Sequence, residues 1–287
     1  QMIYDTVQEM VETYQLDYTP YLHLDSVIGW LWFTFLGLSR HEVDWATGQN
    51  DLTEKILRVV SKLTGVQHYD SVGIDFHKNG LCPYSSSFFV ASNMTIVSDK
   101  PLSDYNFGDL RAFDYTLENT RPANGIASAW TSLQRLGLTG YRKYLTDLYK
   151  ASDQIRNALN NNEMFRVINT ISDGWEIIFT INFRQFKDGV TGNYDKSKVY
   201  ESFIRYVWDK VDSGADVPNF SIIKNYGEWF GFDRGAAFIL YNMNTSISTT
   251  DASAIVESIS NEAEAFQNAI LDGRLTLLED HIMTPIR

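Results

Sequence analysis

Three ionisable side chains that lie close together in the sequence give the strongest indication of chemistry. Asp75, His77 and Lys78 come directly after the apolar alternation of residues 72–74, which is typical of a short buried strand, and Gly80 then interrupts regular structure. Ionisable groups at the end of a strand are costly to bury unless each has a partner. A lysine beside a histidine in this position suits an amine that must lose its proton to act as a nucleophile.

Another carboxylate, Asp25, ends a second predicted strand over residues 20–25. This strand follows a predicted helix over residues 3–14, whose apolar residues recur at helical spacing. A helix that leads into a strand ending in polar residues is the repeating unit of a parallel sheet, and ligands of such sheets bind at the carboxyl ends of the strands. Asp25 and Lys78 both fall at such ends, so the sequence predicts a ligand site there.

The segment between these two strands contains an aromatic run, a polar stretch and a helix. We interpret the run over residues 30–35 as core or interface, and the polar residues 37–52 as a loop or lid. A helix is predicted from Thr53, with Thr53 as its cap and Gly65 at its end.

Composition argues against several classes of protein. The 287-residue chain has a net charge of −12, which argues against nucleic acid and anionic membranes as partners. Cys82 is the single cysteine, so an internal disulfide is excluded and a reducing compartment is favoured. No apolar stretch approaches the ~20 residues of a membrane span, and the N-terminus has no signal-peptide pattern. We therefore expect a cytoplasmic location and no membrane partner.

Four segments carry a resemblance to a known family. Asp75-Phe-His-Lys78 resembles the D-x-H-K motif of the group II pyridoxal-phosphate-dependent amino-acid decarboxylases, whose lysine forms a Schiff base with pyridoxal 5′-phosphate (PLP). Residues 80–85 are similar to the segment after that lysine in the bacterial tyrosine decarboxylase branch. Residues 23–27 resemble the family's H-V-D-A-A strand, although Ser26 replaces an alanine. Residues 120–141 are similar to its S-R-P and G-x-x-G-Y segments, with a threonine at the serine position.

The resemblance implies a role for each ionisable residue of the predicted site. Lys78 would form the Schiff base, and Asp25 would pair with the pyridine nitrogen of PLP and keep it protonated. His77 is predicted to contact the cofactor phosphate. For Asp75, a hydrogen bond on the cofactor side and a structural role both remain open. No metal is predicted, because the five histidines show no metal-ligand spacing.

The resemblance also implies the architecture. The chain is predicted to be α/β, with the second half of the large mixed-sheet domain of fold-type I PLP enzymes in residues 1–145 and an α+β C-terminal small domain in residues 146–287. Apolar patterns predict strands over residues 85–91, 164–169, 174–183 and 236–241, and helices over residues 126–136, 141–160, 200–211 and 251–271. In the first of these helices Ile126, Trp130 and Leu133 form one stripe.

The activity implied is PLP-dependent α-decarboxylation of an L-amino acid to the amine and CO₂. Residues 80–85 favour an aromatic substrate such as tyrosine, with Arg121 and Arg234 as candidates to bind its carboxylate. His23 is interpreted as structural. Two alternatives remain open: a PLP-dependent decarboxylase that forms an aldehyde, and a non-catalytic or regulatory subunit with the same fold.

A further expectation concerns partners. Only 24 residues precede Asp25, and they contain no Gly- or Ser-rich phosphate loop. In the family, the segment upstream of this strand supplies that loop, the group stacked on the cofactor ring and a threonine near the substrate. We therefore expect an N-terminal half as a separate chain or fragment, and a homodimer of the assembled enzyme.

Overall fold

A computed structural model of the chain describes residues 2–48, 50–93, 122–183, 196–224, 226 and 235–277. The chain divides into two compact units, residues 1–146 and 147–287. Arg121, Arg234 and Thr120, which the sequence singled out, lie outside the described residues. No helix within the described ranges is long and apolar enough to cross a membrane.

The first unit alternates helices with the strands of one sheet. Its elements are α1 (Met2–Tyr14), β1 (His23–Asp25), a 3-10 helix (Gly29–Phe35), α2 (Arg40–Thr47), α3 (Asn50–Leu63), a 3-10 turn (Val66–His68), β2 (Ser71–Asp75), α4 (Phe76–Asn79), β3 (Ser87–Ala91) and α5 (Asn124–Asn160), which continues past residue 146.

Strand β2 lies between β1 and β3 in this sheet. It runs parallel to β1, with Asp25 opposite Gly73, and antiparallel to β3, with Asp75 opposite Ser87. The predicted parallel αβ arrangement and the predicted strand after Lys78 are both confirmed. The first strand is shorter than predicted, with three residues.

The aromatic run after β1 forms much of the core of the first unit. Trp30 and Phe35 are buried on the 3-10 helix, and the Trp30 ring stacks on Phe76 with centroids 4.7 Å apart. The edge of Trp30 also meets the buried Tyr141 ring of α5 at 5.0 Å. Because these rings are large and fully packed, they fix the 3-10 helix against the turn that carries Lys78.

The prediction of a loop over residues 37–52 is wrong, because α2 lies within it. Ser39 caps this helix in a reciprocal capping box with Glu42, and Gly48, with a φ of 63°, ends it. Only Val43 and Thr47 of α2 are buried, so the apolar periodicity is too weak to predict a helix. Thr53, predicted as a cap, is a fully buried residue inside α3.

Helix α5 has an outward-facing apolar stripe in its first part. Ile126, Trp130 and Leu133 are 68%, 64% and 40% exposed. The inward face begins with Gly125, where a Cβ atom would lie 2.1 Å from the Ser85 carbonyl oxygen. A side chain would not fit where the two backbones approach this closely, so the position requires glycine. The large apolar residues of this part of α5 lie on its exposed face. The two helices predicted over residues 126–136 and 141–160 are parts of this one element, which is interrupted at Gly137 by a non-helical φ of 56°.

The second unit is a four-stranded antiparallel sheet with helices. Its strands are β4 (Phe165–Val167), β5 (Ile177–Ile181), β6 (Ser221–Ile223) and β7 (Ala237–Leu240), in the order β4-β5-β7-β6, and its further helices are α6 (Lys196–Asp212) and α7 (Thr249–Leu271). Phe203 of α6 and Phe266 of α7 pack with Phe238 of β7 in one apolar core. The predicted α+β arrangement is confirmed, although β6 was missed; Ser248 caps α7.

Candidate functional site

The candidate site lies at the carboxyl ends of the parallel strands β1 and β2. Asp25 is the last residue of β1 and pairs in register with Gly73, two residues before Asp75 at the end of β2. Side chains alternate along a strand, so Asp25 and Asp75 lie on the same face of the sheet. The usual rise and strand spacing place their Cα atoms about 8 Å apart. The fold thus brings two carboxylates to one edge of the sheet.

Lys78 pairs with Asp75 across one turn of α4. Its Nζ lies 2.7 Å from Asp75 Oδ2, and the side chains are 35% and 11% exposed. Burial raises the pKa of Asp75, but hydrogen bonds from Lys78 and Ser87 and the nearby positive charge outweigh burial, so that pKa lies below its usual value. The carboxylate is therefore ionised and holds the amine at the sheet edge, while a third of the Lys78 side chain stays accessible.

His77 lies on the other side of the same carboxylate. Its Nε2 is 3.5 Å from Asp75 Oδ2, and its Nδ1 accepts a hydrogen bond from the Ser86 backbone N–H at 3.3 Å. Because Nδ1 accepts, the proton of the neutral ring is on Nε2, where it points towards Asp75. The Tyr84 ring covers the imidazole at a centroid distance of 4.1 Å. The predicted contact of His77 with a phosphate stays a prediction.

Asp25 is exposed at the end of β1. Its Oδ1 accepts a hydrogen bond from the Val27 N–H at 3.2 Å, which leaves Oδ2 directed to other partners or solvent. Ser26, the departure from the family pattern, is buried, and its N–H donates to the Gly73 carbonyl at 3.0 Å. Asp25 is thus held on a short turn that is itself bonded to β2.

The segment after Lys78 is fixed to α5 through Gly80. The Gly80 carbonyl accepts hydrogen bonds from Ser132 Oγ at 2.7 Å and from Tyr141 OH at 3.2 Å. A Cβ atom at Gly80 would lie 2.4 Å from Phe76 Cδ1 and 2.7 Å from the Phe76 carbonyl oxygen. No side chain fits there, so the glycine is required by packing. Cys82 donates to the same carbonyl, and burial raises its pKa, as expected for a structural thiol.

Several residues near the site were not predicted from the sequence. Ser87 hydrogen-bonds the Asp75 side chain, Tyr84 covers His77, and Asn79 donates to the Ile28 carbonyl at 2.7 Å. These contacts join segments that are distant in sequence or separated by a turn, and residue type alone gives no signal for them. His23, interpreted as structural, contacts Ser71 Oγ at 2.6 Å. Across the described part of the chain, no cluster of side chains suits a metal ion.

Comparison with solved structures identifies similar folds. Mouse CSAD aligns with a TM-score of 0.61 and 14% identity, over 90% of this chain and 48% of that chain. Rhodiola rosea 4-hydroxyphenylacetaldehyde synthase aligns with a TM-score of 0.58 and 12% identity, over 90% and 45%. Oryza sativa TDC with PLP gives a TM-score of 0.57 and 9% identity, over 91% and 45%. No protein-family model and no curated protein matches the chain.

At these identities the similarity shows the fold. The chain has the α/β fold-type I architecture of the group II PLP decarboxylases, as predicted, and it spans slightly less than half the length of the structures that it matches.

Proposed function

We propose that this chain provides the Schiff-base lysine, Lys78, of a PLP-dependent enzyme that decarboxylates an L-amino acid to the amine and CO₂. One observation carries the proposal: Lys78 is held by Asp75 at 2.7 Å where β2 ends, beside the exposed Asp25 at the end of the parallel strand β1. Ligands of such sheets bind at this edge. The similarity in fold to group II decarboxylases supports the same reading.

The donor set at this edge fits PLP. The Lys78 amine is accessible enough to bond an aldehyde, Asp25 has a carboxylate oxygen for a ring nitrogen, and Asp75 compensates positive charge next to them. When bound, PLP supplies a ring that accepts the electron pair left by the broken bond between Cα and the carboxylate.

Each residue of this chain has a distinct task in the proposed reaction. Asp25 would stabilise a proton on the pyridine nitrogen of bound PLP. Asp75 orients the Lys78 amine and compensates its positive charge when that amine is protonated. Lys78 would hold PLP and would be the donor that returns a proton to Cα. A group outside the described residues is the alternative donor of that proton.

The substrate is proposed to be an aromatic L-amino acid such as tyrosine. The support is the similarity of residues 80–85 to the bacterial tyrosine decarboxylase branch. Tyr84, which is 74% exposed beside His77, offers an aromatic surface at the site. Arg121 and Arg234 remain the proposed carboxylate ligands, outside the described residues.

Further polypeptide is proposed to complete the site. Two observations support this proposal: the chain spans less than half the length of the matched structures, and the family resemblance implies a phosphate loop and a ring-stacking group upstream of the Asp25 strand. We propose that an N-terminal half, as a separate chain or fragment, supplies them, and that the assembled enzyme is a homodimer. Co-purification followed by intact mass measurement tests this, and a stable, active species of 287 residues alone would exclude it.

A second candidate is aldehyde formation. It is favoured by the similarity to the 4-hydroxyphenylacetaldehyde synthase, whose TM-score of 0.58 is close to the 0.61 of mouse CSAD. Both reactions release CO₂, whereas only aldehyde formation consumes oxygen and releases ammonia.

The test is an assay of the purified, PLP-loaded protein, together with any chain that co-purifies with it, against a panel of L-amino acids, with separate detection of CO₂, amine and aldehyde. We expect CO₂ and an equimolar amine, and loss of both in Lys78→Arg, which keeps the charge but not the reactive amine. Aldehyde with oxygen uptake would support the second candidate. Bound PLP without any CO₂ release would contradict both and favour a non-catalytic subunit.

A further inference from the structure

Asn79 connects the two turns that carry the proposed cofactor contacts. Its side chain, directly after Lys78, is almost completely buried, with 1% exposed. Burial of an amide is unfavourable unless it is hydrogen-bonded. The Asn79 Nδ2 donates to the Ile28 carbonyl oxygen at 2.7 Å, and Ile28 ends the turn that follows Asp25. One buried hydrogen bond therefore joins the Asp25 turn to the Lys78 turn.

Two further hydrogen bonds connect the Asp25 turn and the 3-10 helix to β2 rather than to α4. The Ser26 N–H donates to the Gly73 carbonyl at 3.0 Å, and Trp30 Nε1 donates to the Asp75 carbonyl at 3.2 Å. These bonds fix the turn and the 3-10 helix to the strand. The bond from Asn79 acts at a different point, since it fixes the end of α4 to the same turn.

Helix α4 depends on its two buried side chains for its orientation. It has four residues, too few to be stable by its own hydrogen bonds. Phe76 anchors its start between the rings of Trp30 and Phe88, and Asn79 anchors its end. Lys78 lies between these anchors, so the direction of its side chain relative to Asp25 depends on both.

We infer that Asn79 is a positioning residue that fixes the spacing between the Asp25 carboxylate and the Lys78 amine, and thereby sets how tightly the chain holds PLP. This inference rests on the proposed function. It goes beyond the family resemblance, because the D-x-H-K motif ends at the lysine. Without the amide donor, the Ile28 carbonyl would lose its partner, and the end of α4 would keep its bonds to α5 through Gly80 but lose its direct hydrogen bond to the Asp25 turn.

A double-mutant cycle tests this role. The dissociation constant of PLP is measured for Asn79→Leu in the native background and in Asp25→Asn, together with each thermal midpoint. We expect Asn79→Leu to weaken PLP binding about ten-fold in the native background and by less than about two-fold in Asp25→Asn, because the contact whose spacing it sets is then already lost. Ser132→Ala, which removes a donor from the Gly80 carbonyl on the α5 side, is the control and should change affinity by less than about two-fold.

If Asn79→Leu weakens PLP binding equally in both backgrounds, the role of Asn79 is purely structural. If Asn79→Leu leaves the PLP affinity unchanged, Asn79 has no role in PLP binding. Either result overturns the inference. If Asn79→Leu does not fold, Asn79→Asp keeps the shape and removes the donor, and it replaces Asn79→Leu in the cycle.

A measurement without PLP separates this inference from the proposed function. If the native protein binds no PLP, the proposed function fails, and acetylation of Lys78 by acetic anhydride still reports its position. Loss of the anchor should free Lys78 from Asp75 and speed its acetylation several-fold relative to the exposed Lys62. An unchanged rate would reject a positioning role for Asn79.

Discussion

Asp75 determines the balance of charge in the candidate site, and its ionisation is linked to stability. The pKa of Asp75 is lowered in the folded chain, since bonds from Lys78 and Ser87 outweigh burial. A carboxyl group with a lowered folded pKa contributes stability above its unfolded pKa of about 3.9, and this contribution is lost as the pH falls through the folded value. The native chain should therefore lose stability on acidification partly through Asp75.

We predict that Asp75→Asn reduces the loss of stability between about pH 5 and pH 2, and that it lowers stability at neutral pH because Lys78 loses its charge partner. Urea midpoints at a series of pH values measure both effects. Ser87→Ala, which keeps the charge and removes one hydrogen bond, should show a smaller change of the same sign. Identical acid profiles for the native chain and Asp75→Asn would contradict this account of the carboxylate.

For individual residues, the sequence indicates which side chains could take part in chemistry, but it does not indicate which contacts hold those side chains in place. Asp25, Asp75, His77 and Lys78 are recognisable because ionisable residues at strand ends need partners. Asn79 is not, because its importance comes from a hydrogen bond to a residue 51 positions away. A buried asparagine in a turn reads as an ordinary turn residue until the fold is known.

At the scale of elements, the turn from β2 through α4 to Gly80 is held by close packing against Phe76 and by hydrogen bonds to α5. We predict that Gly80→Ala destabilises the chain by about 1–3 kcal/mol, because its Cβ would overlap the Phe76 ring and backbone. Denaturant unfolding followed by circular dichroism measures the effect.

The matched control is Gly73→Ala in the neighbouring strand, where a Cβ would meet the His23 ring at an ordinary 3.4 Å. It should be neutral or slightly stabilising, since alanine has less backbone freedom to lose on folding. A Gly80→Ala protein as stable as Gly73→Ala would show that the turn can rearrange.

Elements with strong apolar periodicity were predictable, and those held by caps or partners were not. α7 was predicted nearly to its bounds because Val256, Ile259 and Phe266 share one buried face. α2 was missed because its stability comes largely from the Ser39 capping box, and β6 was missed because it has three residues. The stripe of Ile126, Trp130 and Leu133 shows a second limit of such predictions. Periodicity shows that these residues share one face of the helix, but it does not show that this face is exposed.

At the scale of the whole molecule, more of the buried apolar side chains among the described residues belong to the second unit than to the first. Phe238 is fully buried in the second unit and contacts the rings of Tyr200, Phe203 and Phe220. We predict that Phe238→Ala destabilises this unit by about 3–5 kcal/mol, because it removes a buried ring and leaves a cavity.

Calorimetry of the native chain and the variant measures this difference. Ile171→Ala in the same unit is the control, because Ile171 is 87% exposed and its truncation removes little buried surface. Equal effects of the two substitutions would contradict the placement of the core.

The fold class itself could be anticipated because the motifs in residues 23–27 and 75–78, which resemble those of a known family, lie at the carboxyl ends of two adjacent strands of the first sheet. The identity of the substrate could not, since the arginine candidates lie outside the described residues and the matched structures extend well beyond this chain.

The central claim is that Lys78 forms the covalent link to PLP, and one measurement tests it directly. The PLP-loaded protein is reduced with borohydride, digested, and its peptides are analysed by mass spectrometry, with Lys78→Arg as the control. We predict a visible absorption band that disappears on reduction and a pyridoxyl group on the peptide that contains Lys78, both absent from the variant. A pyridoxyl group on a different lysine, or bound PLP that reduction does not attach to Lys78, would contradict the account.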